Sequence, residues 1–426
     1  MTAAVLSEQE LQAFVEPWLE RRETFLAAYR GHGSPLYLFD EGALRARARE
    51  FLRAFSGTLD DPRVFYAVKS NAHPWIAETL IAAGLGLDVS SGRELAAAVE
   101  WGAPRLIFSG PGKTDEELAL ALRHAGRVTI LIDSFGELER LGRAADAAGC
   151  TIRAGVRLTT EEQGLWRKFG IPLGRLGEFR QAAAAVPGVR LSGVQFHTSW
   201  NLDPSNQVAF LARLGAALQG LPEFARDLEF IDIGGGYWPP LGEWLHAPDG
   251  RAQAPEPASG VGAGQPGTLL HYRRPAASLE TFAAHIAQAL RIHVFPHCRA
   301  QIWLEPGRWL CHDALHILLQ VVDRKAPDLV VTDAGTNAIG WERFETDYFP
   351  VLNLSQPALS EHPCYVLGSL CTPHDVWGYS YWGSGIGPGD VLLIPCQGAY
   401  TYGLRQEFIK PLPRSVRLAP ESQPEG

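Results

Sequence analysis

At residues 64–71 the chain reads Val64-Phe65-Tyr66-Ala67-Val68-Lys69-Ser70-Asn71, an apolar run that ends in a single lysine. The run predicts a β-strand, and a charge that follows such a strand is costly unless it is neutralised or paired. A desolvated lysine loses its proton readily and becomes an amine nucleophile, which a Schiff base with an aldehyde requires. The structural alternative is a lysine just past an edge strand with its ammonium in water. This segment alone leaves both interpretations open.

Seven further strand candidates follow, and alanine- and leucine-rich stretches with helical spacing lie between them. The predicted strands are Val64–Val68, Gly86–Val89, Arg105–Ser109, Val128–Asp133, Ile152–Leu158, Leu191–His197, Leu228–Ile233 and Ala300–Leu304. The helical stretches include Arg93–Trp101, Asp115–His124 and Phe135–Ala148. Eight strands that alternate with helices over about 250 residues predict an α/β fold, a (β/α)8 TIM barrel. A doubly wound open sheet is the alternative.

The remaining sequence predicts a second domain and one insertion. Residues 41–310 are assigned to the barrel, with a flexible insertion at about residues 247–267, which are rich in Pro, Gly and Ala. Residues 311–426 have short β-like runs separated by Gly and Pro, which predict an all-β domain. Residues 1–40 are expected to complete that domain, with Leu36–Phe39 as a strand. The β-like runs are Ala314–Val322, Leu329–Thr332 and Val391–Ile394.

Composition limits the classes of partner. The 426 residues include 38 basic and 47 acidic side chains, a net charge of −9, and no long basic run. This balance argues against nucleic acid and against anionic membranes, so a small-molecule substrate is expected. Six cysteines are scattered without CxxC spacing, and the N-terminus lacks a continuous apolar core. We therefore expect a cytoplasmic protein with free thiols, and no metal site.

Polar residues and glycines lie at the ends of several predicted strands. They are Lys69, Asp88, Ser109, His197, Gly234–Gly236 and Glu305. In TIM barrels the carboxyl ends of the strands carry the active site, so one shared site is predicted there. The triple glycine, in Ile231-Asp232-Ile233-Gly234-Gly235-Gly236, predicts either an amide cradle for a phosphate or a simple tight turn.

Three residues at this barrel end, Glu305, Arg308 and His197, could bind an aromatic cofactor. In Leu304-Glu305-Pro306-Gly307-Arg308, Glu305 could face a pyridine nitrogen and Arg308 could bind phosphate or carboxylate. A surface ion pair between the two is the structural alternative. His197 could lie flat against an aromatic ring, although a single histidine more often has a structural role.

Two further candidates lie in the predicted β domain. Gly368-Ser369-Leu370-Cys371-Thr372-Pro373-His374-Asp375 places a thiol in a Pro-containing loop, where it could donate a proton beside a substrate. A buried cysteine beside a turn is the structural alternative. Tyr400 follows a glycine turn and could donate a hydrogen bond to phosphate, or lie at the edge of the core.

Together, and in this order, these motifs resemble those of the fold-type III pyridoxal-phosphate decarboxylases, the group that contains diaminopimelate, ornithine and carboxynorspermidine decarboxylases. The resemblance extends from about Pro35 to Pro413. It implies pyridoxal 5'-phosphate as cofactor and a homodimer in which the partner contributes the cysteine loop to a shared active site. By this resemblance Lys69 forms the internal aldimine, with Asp88 as a carboxylate near it, His197 stacks on the cofactor ring, and Glu305 faces the pyridine nitrogen. The resemblance also implies that the phosphate is held by Gly234, Gly235, Gly236, Arg308 and Tyr400. Cys371 matches the general acid, and Asp333 matches the aspartate-glycine site after the barrel.

The chain departs from the family pattern at two places. The family's histidine is usually followed by Val-Gly-Ser, whereas here the order is His197-Thr198-Ser199-Trp200. Diaminopimelate and ornithine enzymes carry Glu or Asp directly after the cysteine, where it meets the distal ammonium of the substrate. Here that position is Thr372. The sequence therefore predicts an amino acid or amino-acid conjugate without a free distal ammonium as the substrate.

Further residues of the same region are candidate substrate contacts. Arg343, with Trp341 and Trp377, could receive a carboxylate, amide or aromatic group. Asp375 could still reach an ammonium if the loop turned differently, so a decarboxylase of diaminopimelate or another diamino acid remains the alternative.

Two other functions are alternatives. A fold-type III amino-acid racemase shares the barrel and the lysine, but it places arginine against the pyridine nitrogen, where this chain has Glu305. A silent regulatory relative would have lost the cofactor residues, and this chain retains them.

Overall fold

The computed structural model describes residues 3–247, 269–340 and 347–419. The chain forms two compact units. The barrel unit comprises Arg45–Pro240 and Ala277–Leu310. The sheet unit comprises Met1–Leu44, Leu241–Ala276 and Cys311–Gly426.

Eight parallel strands close into a barrel in the barrel unit. The strands are Arg63–Ala67, Gly86–Val89, Leu106–Phe108, Val128–Ile132, Ile152–Leu158, Val189–Phe196, Phe230–Asp232 and Gln301–Leu304. The last strand pairs with the first, so the predicted TIM barrel is confirmed and the open sheet is wrong. The predicted strand bounds differ from the observed ones by at most two residues.

Aromatic residues fill the interior of the barrel. The ring of Phe230 stacks on Trp303, with centroids 3.8 Å apart and planes at 6°. Gly155 and Gly193 leave room for Phe230, because a Cβ at either position would collide with its ring. Phe65 extends the same core beside Trp303. This packing makes the barrel interior solid, so a ligand site must lie at an end of the barrel.

Helices alternate with the barrel strands. They are Glu41–Ser56, Pro74–Ala82, Gly92–Glu100, Asp115–Arg123, Phe135–Ala148, Leu176–Ala184, Ser205–Gln219, Pro222–Asp227, Leu279–Ala289 and Arg308–Cys311. Several begin at a capping residue. Thr114, for example, forms a capping box with Glu117 at the start of Asp115–Arg123. No helix among the described residues is both long enough and apolar enough to cross a membrane.

An eight-stranded, mostly antiparallel sheet dominates the sheet unit. Its strands, in spatial order, are Leu329–Thr332, Glu361–Leu367, Val376–Trp382, Leu352–Asn353, Val391–Ile394, Leu315–Ala326, Leu36–Phe39 and Arg414–Arg417. The N-terminal strand Leu36–Phe39 pairs with Leu315–Ala326 and Arg414–Arg417. Two helices, Glu8–Glu20 and Arg22–His32, precede it. A separate all-β architecture after the barrel agrees with the predicted fold class.

The segment at residues 241–276 differs from its prediction as part of the barrel domain. Glu243–Leu245 pairs with Tyr272–Arg274, which also pairs with Ala4–Val5, so the described residues form a small sheet in the sheet unit. Trp244 holds them there through ring contacts with Phe14, at 4.8 Å between centroids. Strands of two or three residues are too short for a period-2 pattern to reveal them. Residues 248–267 of the predicted flexible insertion lie outside the described residues.

Candidate active site

Lys69 lies in a single turn, Val68–Ser70, that directly follows the first barrel strand. Its Nζ is 3.2 Å from Asp88 Oδ2. Asp88 is fully buried, and Ser109 Oγ donates a hydrogen bond of 2.6 Å to its other oxygen. The Lys69 side chain is 38% exposed, because the chain leaves the strand before it reaches Lys69, so the structure favours the accessible lysine of the two interpretations left open. The structure thus presents a solvent-accessible amine oriented by a buried carboxylate.

The three glycines form a turn that admits no side chains. Gly234 and Gly236 have φ angles of +69° and +84°, in the region that favours glycine. A Cβ on Gly235 would collide with the carbonyl oxygen of Glu305, and one on Gly236 with that of Thr198. Asn201 supports the turn from outside, because its Nδ2 donates to the carbonyl oxygens of Thr198, at 3.1 Å, and Gly235, at 3.4 Å.

Two amides of this turn donate to side chains of the chain itself. The Gly234 amide donates to Asp232 Oδ1 at 2.8 Å, and the Gly235 amide donates to His197 Nδ1 at 3.1 Å. Of the three glycines, Gly236 is therefore the one whose amide can bind an anion directly.

Glu305 follows the last barrel strand and is 2% exposed. Burial, and then the charges of Asp232 and Asp88, raise the pKa of Glu305 well above its ordinary value. Burial likewise raises the pKa of Asp232 to about 7, against the lowering effect of hydrogen bonds from Gly234 and Glu305. Two adjacent carboxyl groups in a dry environment resist double ionisation. At neutral pH the Asp232–Glu305 pair therefore holds a proton.

His197 presents a neutral ring at the same end of the barrel. Burial, and then the charges of Lys69 and Arg157, lower its pKa well below its ordinary value. The Gly235 amide donates to Nδ1, which is consistent with the neutral imidazole. A neutral, largely buried ring of this kind can pack against another aromatic ring.

Arg308 lies three residues after Glu305 and begins the short helix Arg308–Cys311. Its guanidinium carbon is 4.3 Å from the centroid of the Trp238 ring, which holds it by a cation–π contact. The barrel unit thus brings Lys69, Asp88, His197 and Glu305 to one end of the barrel, where the glycine turn also lies.

The predicted site residues of the sheet unit have varied environments. Cys371 is exposed and Thr372 is partly exposed. Tyr400 has a φ of +56°, which is unusual for a residue other than glycine. Arg343 lies outside the described residues.

Asp333 and Asp375 both accept hydrogen bonds from their own unit. Asp333 accepts from Ser34 Oγ at 2.5 Å and from the Gln320 amide at 3.0 Å, and burial raises its pKa. Asp375 is 2% exposed and accepts from the amides of Thr336 and Leu370. These contacts do not test a substrate role for Asp333 or Asp375, which stays a prediction.

Sequence analysis gave no role to three residues that the structure places in this site. Asp232 binds the Gly234 amide, Asn201 supports the glycine turn, and Gln195 Nε2 donates to Glu305 Oε2 at 3.3 Å. A signal was available for one of them, because Gln195 precedes His197 by two residues and side chains two apart on a strand share a face.

Comparison with known proteins gives this site a family. The family model described as "Pyridoxal-dependent decarboxylase, pyridoxal binding domain" matches residues 41–240. This match and the relatives below support placing the chain among the fold-type III pyridoxal-phosphate-dependent decarboxylases. The same comparisons support a carboxy-lyase with pyridoxal 5'-phosphate as its cofactor.

Relatives within the family act on different compounds. The chain is 23% identical over 423 residues to diaminopimelate decarboxylase of Aquifex aeolicus, and the alignment covers 94% of this chain and 91% of that protein. It is 25% identical to L-glutamyl-[BtrI acyl-carrier protein] decarboxylase of Niallia circulans, and this alignment covers 86% of the chain and 84% of that protein. The structure of diaminopimelate decarboxylase from M. jannaschii with L-lysine has a TM-score of 0.77 at 22% identity, covering 92% and 88% of the two chains.

The residues at the barrel end fit the cofactor. The glycine turn is compact backbone, because a Cβ at Gly235 or Gly236 would collide with the carbonyl oxygen of Glu305 or Thr198, and glycine turns of this kind can direct backbone amides at a phosphate. Lys69 supplies an accessible amine for the aldehyde. The buried Asp232–Glu305 pair supplies a proton-holding carboxyl for a ring nitrogen.

Proposed function

We propose that this decarboxylase removes CO2 from an amino acid or amino-acid conjugate that has no free distal ammonium. The observation that carries the proposal is Thr372, which follows Cys371 directly. In diaminopimelate and ornithine enzymes of the family a carboxylate occupies that position. A substrate ammonium that leaves water without such a partner is destabilised by about 3–5 kcal/mol, on the order of a thousandfold in affinity.

The environment of Asp375 supports this specificity. Asp375 is the carboxylate of the Cys371 loop, and it could replace the Glu or Asp that the family carries where this chain has Thr372. Its oxygens accept hydrogen bonds from Thr336 and Leu370, and the side chain is buried. Turning it toward a substrate would leave two buried amides without acceptors, which costs about 1–3 kcal/mol for each.

In the proposed mechanism, residues of the barrel unit bind and orient the cofactor. Pyridoxal phosphate, when bound, supplies an aldehyde that condenses with amines and a ring that accepts the electron pair left by CO2. Lys69 Nζ would be the amine that holds the cofactor, and Asp88 would keep that amine oriented. Gly234–Gly236, through the Gly236 amide, and Arg308 would bind the phosphate, and Tyr400 is a further predicted donor to it. Glu305 would pair with the ring nitrogen, and the neutral ring of His197 would lie against the cofactor.

Cys371 is the proposed proton donor. Its side chain is exposed, as a group that must reach a substrate requires. We propose a homodimer in which the Cys371 loop of one subunit acts at the barrel of its partner. Its Sγ would deliver the proton that replaces CO2 on the substrate carbon. We further propose that the enzyme works in the cytoplasm, where its six free cysteines stay reduced.

Diaminopimelate decarboxylase is the second candidate function. The Aquifex aeolicus relative carries that name and aligns with almost the whole chain. The Niallia circulans relative, however, acts on a glutamyl group attached to a carrier protein, a substrate without a distal ammonium. Thr372, which carries no charge, favours a substrate like the carrier-bound glutamyl group over diaminopimelate.

The deciding experiment compares kcat/KM for free diamino acids with kcat/KM for their distally acylated forms. Ornithine, lysine and meso-diaminopimelate are tested against N-acylated forms and a glutamyl conjugate, by release of CO2. We expect the acylated compounds to be preferred, and Thr372→Glu to shift the preference toward the diamino acids. Thr372→Val, which keeps the size and adds no charge, is the matched control. Efficient turnover of any of the three diamino acids by the unmodified enzyme would contradict the proposal.

A further inference from the structure

The loop that carries Cys371 is closed by one residue, Asp375, through its buried carboxylate and its backbone carbonyl. Asp375 Oδ2 accepts a hydrogen bond of 2.7 Å from the amide of Leu370, the residue just before Cys371. The Gly368 amide donates to the Asp375 carbonyl oxygen at 2.8 Å. Residues on both sides of Cys371 are therefore tied together, while the thiol between them stays exposed.

The same carboxylate fixes this loop to a second segment of the sheet unit. Asp375 Oδ1 accepts from the Thr336 amide at 2.7 Å and from Thr336 Oγ1 at 3.0 Å. Trp377 donates from Nε1 to the Ala334 carbonyl oxygen at 2.9 Å, so the strand after Asp375 is held to this segment as well.

Two glycines make room for the Asp375 carboxylate. A Cβ on Gly368 would collide with both of its oxygens, and a Cβ on Gly335 would lie 2.8 Å from Oδ2. Backbone thus surrounds the carboxylate closely, and it is 2% exposed. A buried carboxylate with three donors is a strong and directional connection, because hydrogen bonds to a charged acceptor are shorter and stronger than neutral ones.

We propose that Asp375 is a positioning residue, which sets the place of the Cys371 thiol by holding both ends of its loop. This inference rests on the proposed role of Cys371 as proton donor, and it replaces the expectation that Asp375 binds substrate. A thiol on a loop fixed in this way is available at a defined place without reorganisation, whereas a loosened loop would present it in many orientations. Asp375 acts on the reaction only through Cys371.

The test compares Asp375→Asn with Thr336→Val. Asn keeps the size but offers one acceptor instead of two, so the Leu370 and Thr336 amides cannot both be satisfied. Thr336→Val removes only the Oγ1 hydrogen bond and keeps the amide. We expect Asp375→Asn to lower kcat about tenfold to a hundredfold with little change in KM. We expect Thr336→Val to lower it less than tenfold. Cofactor absorbance should match the wild type in both.

Hydrogen exchange of the backbone amides provides a readout that does not depend on activity. In the cofactor-loaded enzyme, peptides covering residues 334–338 and 368–376 should exchange faster in Asp375→Asn, and other peptides should not. A raised KM with unchanged kcat and unchanged exchange would overturn the proposal and return Asp375 to substrate binding. If Asp375→Asn fails to fold, Thr336→Val carries the test, and unchanged exchange at both peptides would contradict it.

The Cys371→Ala variant separates this inference from the proposed function. Near-normal turnover by Cys371→Ala would remove the thiol from the mechanism. The exchange measurement would still report whether Asp375 holds the loop.

Discussion

At the scale of single residues, the proton shared by Asp232 and Glu305 has the clearest physical consequence. The pKa of Asp232 is raised by burial to about 7, and that of Glu305 is raised further above its ordinary value. A carboxyl whose pKa is higher in the folded state binds more protons when folded than when unfolded. The free energy of unfolding therefore falls as pH rises from the unfolded value of about 4 toward 7.

Asp232→Asn tests this proton linkage. The amide keeps an acceptor for the Gly234 amide and supplies a permanent donor toward Glu305, so the fold should persist. We expect urea unfolding of the two cofactor-free proteins to show that the wild type loses stability relative to the variant as the pH rises from about 4 to 7. Parallel pH profiles for the two proteins would show that this pair does not hold the proton.

At the scale of structural elements, the turn after the seventh barrel strand shapes the cofactor site. The turn has no room at Gly235, where a Cβ would collide with the Glu305 carbonyl oxygen. This collision involves backbone on both sides, so a rotamer change cannot relieve it. Displacing the turn would disturb Glu305 and His197 together, because the Glu305 amide donates to Gly234 and the Gly235 amide donates to His197.

Gly235→Ala should therefore lose most of its bound cofactor, measured as absorbance per subunit after dialysis. Gly136→Ala is the matched control, because no atom lies within 4 Å of a Cβ built on that helical glycine. Alanine in a helix is more favourable than glycine, so this control should retain the cofactor and gain up to about 1 kcal/mol of stability. Equal cofactor content in the two variants would contradict the assigned role of the turn.

At the scale of the whole molecule, a shared active site predicts that two inactive variants restore each other. Lys69→Ala lacks the proposed cofactor amine, and Cys371→Ala lacks the proposed donor. If the two residues of one site come from different subunits, a mixed dimer contains one intact site. Random exchange of subunits should then return about a quarter of the wild-type activity. No recovery after subunit exchange, with mixed dimers demonstrated by mass spectrometry, would place both residues in one subunit.

The sequence predicted the barrel because each strand is a separate apolar run, with a helical stretch before the next. It also predicted the site at one barrel end, since Lys69, Asp88, His197, Gly234–Gly236 and Glu305 lie at strand ends or just after them. It failed where partners are distant along the chain. Asp375 is held by Thr336, which lies 39 residues away, and no local pattern indicates that contact. The strand Ala4–Val5 is likewise fixed only by its pairing with Tyr272–Arg274.

The central claim is that pyridoxal phosphate is bound to Lys69, and its most direct test is borohydride reduction of the loaded enzyme followed by proteolysis and mass spectrometry. The chain has five lysines, Lys69, Lys113, Lys168, Lys325 and Lys410, so the assignment is unambiguous. We predict that only the peptide containing Lys69 carries the reduced cofactor, that Lys69→Ala carries none, and that the surface variant Lys325→Ala is labelled like the wild type. Labelling of Lys69→Ala, or of any other lysine in the wild type, would contradict the account.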